Sequence, residues 1–199
     1  MVQTSYQYKI GNFTPTYEIL GRGATGDVIV AEGPNNERVA LKACRSNSRY
    51  YTQHHRNMVR EIEALRTLDH PHVLKLIDYG LEAQWMENEC WAAGDFIATE
   101  IVPNGELFEF LDSPRGAFSE PVTKQLFKQM LSAMSHMHER GVCHRDLKLE
   151  NMLVSEQFTV KVADFGFAGK INGNQRLQTK LGTPGYMAPE ILESKAYHG

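Results

Sequence analysis

Along the first hundred residues the apolar positions come in short runs separated by turn residues. Val28-Ile29-Val30-Ala31 and Val39-Ala40-Leu41-Lys42 flank Gly33-Pro34-Asn35-Asn36, the pattern of a β-hairpin with a longer loop. Residues 73–81 and 96–102 predict further strands. The stretch from Arg45 to Asn57 is basic and polar and reads as a linker. Val59, Ile62, Leu65 and Leu68 then recur at every third position, as on one face of an amphipathic helix. After Pro103-Asn104-Gly105 the period lengthens. Leu107, Phe108 and Leu111 suit a short helix, and Val122, Leu126, Met130, Met134 and Met137 predict a long one. Ser119 is its expected N-cap, Pro121 lies in its first turn and Gly141 stops it. Methionines at that spacing read as core packing rather than a cofactor stripe. Short apolar pieces follow at 152–154 and 159–162. Strands dominate the first half and helices open the second, an α+β pattern that fits two lobes.

Composition narrows the function classes. With 199 residues, 42% of them hydrophobic and 23% charged, the chain can bury a core as one large domain or two lobes. A formal net charge of −3 lacks the basic excess of a nucleic-acid-binding surface. The three cysteines, Cys44, Cys90 and Cys143, have no metal-ligand spacing and read as reduced thiols. The polar start lacks the apolar core of a signal peptide, and no run approaches the roughly 18 apolar residues of a membrane span. The expected compartment is the cytoplasm or nucleus, with no membrane or nucleic-acid partner.

Chemistry concentrates in three places. Gly21-Arg22-Gly23-Ala24-Thr25-Gly26 sits between apolar residues, and glycines there let backbone amides approach phosphates. Alone the pattern is weak. A Rossmann fingerprint would need a helix directly after it, whereas Asp27-Val28-Ile29-Val30 reads as strand. Lys42, sixteen residues beyond Gly26, ends an apolar strand, and Glu61 on the following helix is a candidate carboxylate for it. Taken singly, Lys42 could be an edge charge and Glu61 a surface residue. The third place is His144-Arg145-Asp146-Leu147-Lys148-Leu149-Glu150-Asn151, too dense in charge for core. Thirteen residues past Asn151 comes Asp164-Phe165-Gly166. The short oxygen-bearing side chains of Asn151 and Asp164 suit Mg²⁺ shared with phosphate oxygens, leaving Asp146 to orient and deprotonate a hydroxyl.

In this order, and followed by Gly182-Thr183-Pro184-Gly185-Tyr186-Met187-Ala188-Pro189-Glu190, these residues resemble the eukaryotic-type protein kinase family from about Tyr17 onward. The resemblance implies a two-lobed fold: an antiparallel β lobe with one long helix over residues 16–102, after an extension at 1–15, and a mainly helical lobe over 103–199 that breaks off after the activation segment. It implies ATP and Mg²⁺ as cofactors. Gly21, Gly23 and Gly26 would cover the triphosphate, and Lys42, held by Glu61, would contact it. Val28, Ala40 and Leu153 would clamp the adenine, the segment around Glu100 and Val102 would hydrogen-bond its edge, Thr99 would be the gatekeeper, and Glu106 would lie near the ribose. Asn151 and Asp164 would hold the metal, Asp146 would take the hydroxyl proton, and Lys148 would neutralise the moving phosphoryl group.

Lys148 and Thr183 resemble the serine/threonine branch, and Glu106 with Glu150 suits basic substrate sequences. Thr179 falls at the family's usual phosphosite, where Arg145 and Lys170 would pair with a phosphate. Two departures stand out. The segment 82–94, with Trp85 and Trp91, is longer than the usual strand connection and reads as a hairpin packed on itself rather than a docking surface. The chain stops nine residues past Glu190, so the expectation is an incomplete catalytic domain, itself inactive, of a serine/threonine kinase. The alternative is an inactive, truncated or pseudokinase-like scaffold.

Overall fold

The computed structural model describes residues 8–23, 26–87, 90–111, 116–171 and 176–197. Ala24-Thr25 at the tip of the glycine-rich turn, Asn88-Glu89 in the tryptophan-bearing segment and the first seven residues of the extension lie outside that set. Contacts divide the chain into two units, one of residues 1–59 with 76–101 and one of residues 60–75 with 102–199.

The first unit is a five-stranded antiparallel sheet in the order β1-β2-β3-β5-β4. Its strands are β1 (Thr14–Gly23), β2 (Gly26–Glu32), β3 (Arg38–Arg45), β4 (Leu76–Glu87) and β5 (Cys90–Thr99). The period-2 pattern sorts the side chains by face. Ala31, Val39, Leu41, Phe96 and Ala98 form a core with Trp85, Ile10 and Phe13. Fully burying a side chain the size of Leu41 or Phe96 contributes about 1.5–3 kcal/mol. Gly94 lets β3 approach β5, because a Cβ there would stand 2.1 Å from the Cys44 carbonyl oxygen.

Helix α1 (Tyr51–Leu65) begins two turns ahead of Val59, where the apolar repeat would start it. The predicted linker 45–57 is therefore helical from Tyr51 on, and its first residue, Arg45, ends β3. Its first turns carry few apolar residues because they are fastened by polar contacts to a buried carboxylate. Asp95 on β5, with no exposed surface, accepts from Tyr51 Oη at 3.1 Å, pairs with His55 Nδ1 at 2.8 Å and accepts from the Glu82 N–H at 2.9 Å. Burial first, and the Asp95 charge second, push the Tyr51 phenol up to about 12.

The strands also run differently from the expectation of 73–81 and 96–102. β4 and β5 form one long hairpin that absorbs the tryptophan-bearing segment, paired from Leu76↔Thr99 to Glu87↔Cys90. Trp85 is buried on the core face, whereas Trp91 points the other way and is 73% exposed. Self-packing thus accounts for one tryptophan and not the other.

The second unit takes in the end of α1 from Arg60, then α2 (Leu107–Leu111), α3 (Glu120–Glu139), β6 (Val142–Cys143), β7 (Met152–Val154), β8 (Val160–Val162), β9 (Gly169–Lys170) and α4 (Pro189–Leu192). Two-stranded ladders pair β6 with β9 and β7 with β8. The α3 helix forms where the apolar spacing predicts, but of the expected face only Leu126 and Met137 are buried, Met130 and Met134 are half-buried and Val122 is exposed, while Ala133 joins the buried side. Ser119 occupies the N-cap position, but its side chain makes no capping bond. Gly141 ends the helix at φ +66°, a conformation that favours glycine. Among the described residues no helix is long and apolar enough to cross a membrane.

Candidate active site

In the second unit the charged loop is built on a buried histidine. His144 is 1% exposed, its ring lies 4.8 Å from Phe165, and its Nδ1 accepts the Asp146 N–H at 3.2 Å. Nε2 is then the protonated nitrogen, donating to the Ala163 carbonyl at 2.9 Å. Burial holds the imidazole below its ordinary value, so this neutral tautomer is the stable one. The loop therefore hangs from the segment that leads into Asp164. Arg145 and Asp164 take left-handed φ angles of +68° and +58°. Such angles cost a non-glycine residue roughly 1–2 kcal/mol and persist where surrounding bonds over-determine them.

Asp146, 7% exposed, is the centre of the arrangement. Its Oδ1 accepts from both the backbone N–H and Oγ1 of Thr183, each at 2.8 Å. Its Oδ2 accepts from Asn151 Nδ2 at 3.2 Å and lies 3.5 Å from Lys148 Nζ. Lys148 also donates to Thr183 Oγ1 at 3.0 Å. Thr183 thus ties the carboxylate and the ammonium together. Gly182 makes the approach possible: at φ +121° a Cβ would stand 2.7 Å from the Arg145 carbonyl oxygen.

Asn151 also donates Nδ2 to the Asp146 carbonyl at 2.8 Å. With both amide hydrogens engaged, Oδ1 is the atom left to face a cation. The Ala163 N–H donates to the Asn151 carbonyl at 2.9 Å, which fixes the backbone next to Asp164 against it. Asp164 itself is exposed, and its Oδ1 accepts from the Gly166 N–H at 3.3 Å. One amide oxygen and one carboxylate form a hard-oxygen donor set that suits Mg²⁺ completing its shell with phosphate and water. Among the described residues no group of three or more His, Cys, Asp or Glu is placed to hold a metal ion.

Glu106 bridges to Leu153 in the same unit, and burial first, then the charges of Glu109 and Glu150, raise its carboxyl. Glu150 accepts from Tyr186 Oη at 3.3 Å. The expected regulatory residues are engaged separately. Arg145 donates Nε to the Phe167 carbonyl at 2.6 Å and its terminal nitrogen to that of Ala168 at 2.9 Å. Lys170 lies 3.6 Å from Glu63. Thr179 is exposed, and its carbonyl accepts from Tyr197 Oη at 2.9 Å.

In the first unit, register does the placing. Gly21 pairs with Val28 and Gly23 with Gly26, so the glycine-rich turn joins β1 to β2. Lys42 stands opposite Val28 and Ile97, and Ala40 opposite Val30 and Thr99. Directly opposed residues share a face. Val28, Ala40, Lys42 and Thr99 therefore project from the side away from the Leu41–Phe96 core. Glu100 follows β5 directly, Val102 opens the second unit's main segment, and Glu61 is buried on α1. A cavity of about 740 Å³ in the first unit is lined by Arg45, Gln84, Glu87 and Trp91 among others and by none of these residues.

A model of the protein kinase domain matches residues 15–199. The chain belongs to the protein kinase family. A probable myosin light chain kinase of Dictyostelium discoideum is 35% identical over 196 residues, covering 95% of this chain and 47% of that protein. The human NUAK family SNF1-like kinase 1 is 36% identical over 183 residues, covering 92% of this chain and 26% of the relative. The serine/threonine-protein kinase SIK2 of Gallus gallus is 39% identical over 140 residues, 70% of this chain and 16% of the relative. The chain thus spans about half the length of the first relative and about a quarter of the second. Motif order in the sequence points to the loop from His144 to Asn151 but not to Asp95, Tyr51, His55 or Tyr197, which no spacing marks.

Proposed function

We propose that the protein transfers the γ-phosphate of ATP to serine or threonine hydroxyls of proteins. The observation that carries this reading is the Thr183 hydroxyl held between Asp146 and Lys148, which fits a base and a cation working on one hydroxyl. Asp146, fixed by Thr183 and Asn151, accepts the proton of the incoming hydroxyl. Lys148 offsets negative charge on the phosphoryl group, since transfer of this kind depends on positioning and charge neutralisation. Asn151 and Asp164 would hold Mg²⁺, which when bound neutralises the phosphate oxygens. Gly21, Gly23, Gly26 and Lys42 are the triphosphate contacts, with Glu61 as the carboxylate assigned to Lys42. Val28, Ala40, Leu153, Glu100, Val102 and Glu106 are the nucleoside contacts. Glu106 and Glu150 favour substrates with basic residues near the phosphosite, and Thr179 with Arg145 and Lys170 forms the regulatory set. The relatives' names support the serine/threonine assignment.

The metal and nucleotide roles are tested by titrating full-length protein with a fluorescent ATP analogue with and without Mg²⁺. Wild type should bind more tightly with Mg²⁺, and Asp164→Asn should lose most of that gain while keeping metal-free binding. Equal Mg²⁺ dependence in the two proteins would remove Asp164 from the metal site.

A further inference from the structure

The segment carrying Thr179 is clasped at one point by a tyrosine that the kinase reading does not use. Leu177 and Tyr197 form an isolated antiparallel bridge, with the Leu177 N–H donating to the Tyr197 carbonyl at 2.8 Å and the return bond at 2.9 Å. Tyr197 is only 5% exposed, and its Oη donates to the Thr179 carbonyl at 2.9 Å. One residue on, Lys180 Nζ donates to the Leu192 carbonyl at 3.1 Å. Residues 177–180 are thereby fastened at three places to the stretch formed by α4 and the residues just after it. The Thr179 side chain is left exposed while its backbone is held.

What the clasp holds is one short step from the chemistry. From Lys180 the chain passes Leu181 and Gly182, whose contact with the Arg145 carbonyl leaves no room for a Cβ, and reaches Thr183 on Asp146. Three residues of extended chain span only about 10 Å. Slack at Thr179 therefore reaches Thr183 with little chain to absorb it. The stretch from Lys180 to Gly185 is all exposed or half-buried and is joined at Thr183 to the Asp146 carboxylate, so its surface is open to a polypeptide there.

We propose that Tyr197 is a positioning residue for the protein substrate: its hydroxyl fixes the backbone at Thr179 and so sets the path of the segment that runs on to Thr183. The role rests on the kinase reading above. Tyr197→Phe removes the hydroxyl and keeps the ring that fills the site, so it tests the bond without emptying the packing. In full-length protein, KM for a basic peptide should rise about three- to tenfold, the range of one lost hydrogen bond. KM for ATP should stay at the wild-type value, and the urea midpoint should fall by no more than the loss of one hydrogen bond. Trypsin should also cut faster after Lys180 in the variant. An unchanged peptide KM overturns the proposal, as does a joint shift of peptide KM, ATP KM and urea midpoint, which is what a purely structural role produces. Wild-type protein that transfers no phosphate overturns the kinase reading and the substrate role with it. Equal trypsin rates in an active wild type and the variant overturn the clasp alone.

Discussion

Replacing Thr183 with alanine removes one side-chain hydroxyl from a site where its loss can be counted. Thr183 Oγ1 donates to Asp146 Oδ1 at 2.8 Å and accepts from Lys148 Nζ at 3.0 Å, while the Thr183 backbone N–H donates to the same carboxylate oxygen. Alanine keeps the backbone bond and loses both side-chain bonds. A hydrogen bond to a charged group contributes about 1.5–3 kcal/mol. If the bond to Asp146 matters fully in the transition state, then at about 1.4 kcal/mol per decade the rate falls roughly 10- to 150-fold. Serine restores the oxygen and should stay within about threefold of wild type, whereas valine keeps the volume and should behave as alanine does. Because the lost bonds fix Asp146, the proposed base, and none of the proposed nucleotide contacts, KM for ATP should hardly change. Steady-state phosphorylation of a peptide by the full-length protein measures all four proteins. Alanine within twofold of wild type, or serine as damaging as alanine, would refute the reasoning.

Asp95→Ala should destabilise the protein by about 2–4 kcal/mol, because it strips one shared acceptor from the Glu82 N–H, Tyr51 and His55 together. Urea denaturation should show the midpoint falling at unchanged slope, and a loss below about 0.5 kcal/mol would count against the network. His70, His136 and His144 are each held below the ordinary value of 6.5 by burial, so the folded state binds fewer protons than the unfolded one. Their contribution is complete above about pH 6.5 and is lost as pH falls through that value towards the depressed ones; urea midpoints at pH 7.5 and 5.5 should fall in that order, and a flat profile contradicts the sign. Gly94→Ala should abolish the folded sheet or lower the thermal midpoint sharply, since the new Cβ meets the Cys44 backbone oxygen. Wild-type melting by circular dichroism would falsify that close approach.

Residues near in sequence carry most of what can be read in advance. The hairpin of β2 and β3, the α3 spacing and the loop from His144 to Asn151 are local patterns that need no distant partner to be recognised. What stays hidden depends on partners far along the chain. Asp95 looks like a strand-end charge until Tyr51, His55 and Glu82 arrive around it from 13 to 44 residues away. The start of α1 is hidden for the same reason, since its first turns are fastened by polar side chains and not by an apolar stripe. Trp85 and Trp91 are six residues apart in one segment, yet only the register of β4 on β5 sends one into the core and the other to solvent. The engagement of Arg145 with the Phe167 and Ala168 carbonyls is likewise invisible in its motif, where it is expected to pair with a phosphate.

The most direct test of the central claim is transfer of labelled γ-phosphate from ATP to a basic serine- or threonine-containing peptide by the full-length protein, beside an Asp146→Asn variant. Mg²⁺-dependent labelling of the peptide hydroxyl by wild type, with a loss on the order of a hundredfold or more in the variant, is the predicted result. Tight nucleotide binding without any transfer, or equal transfer by both proteins, would contradict the account.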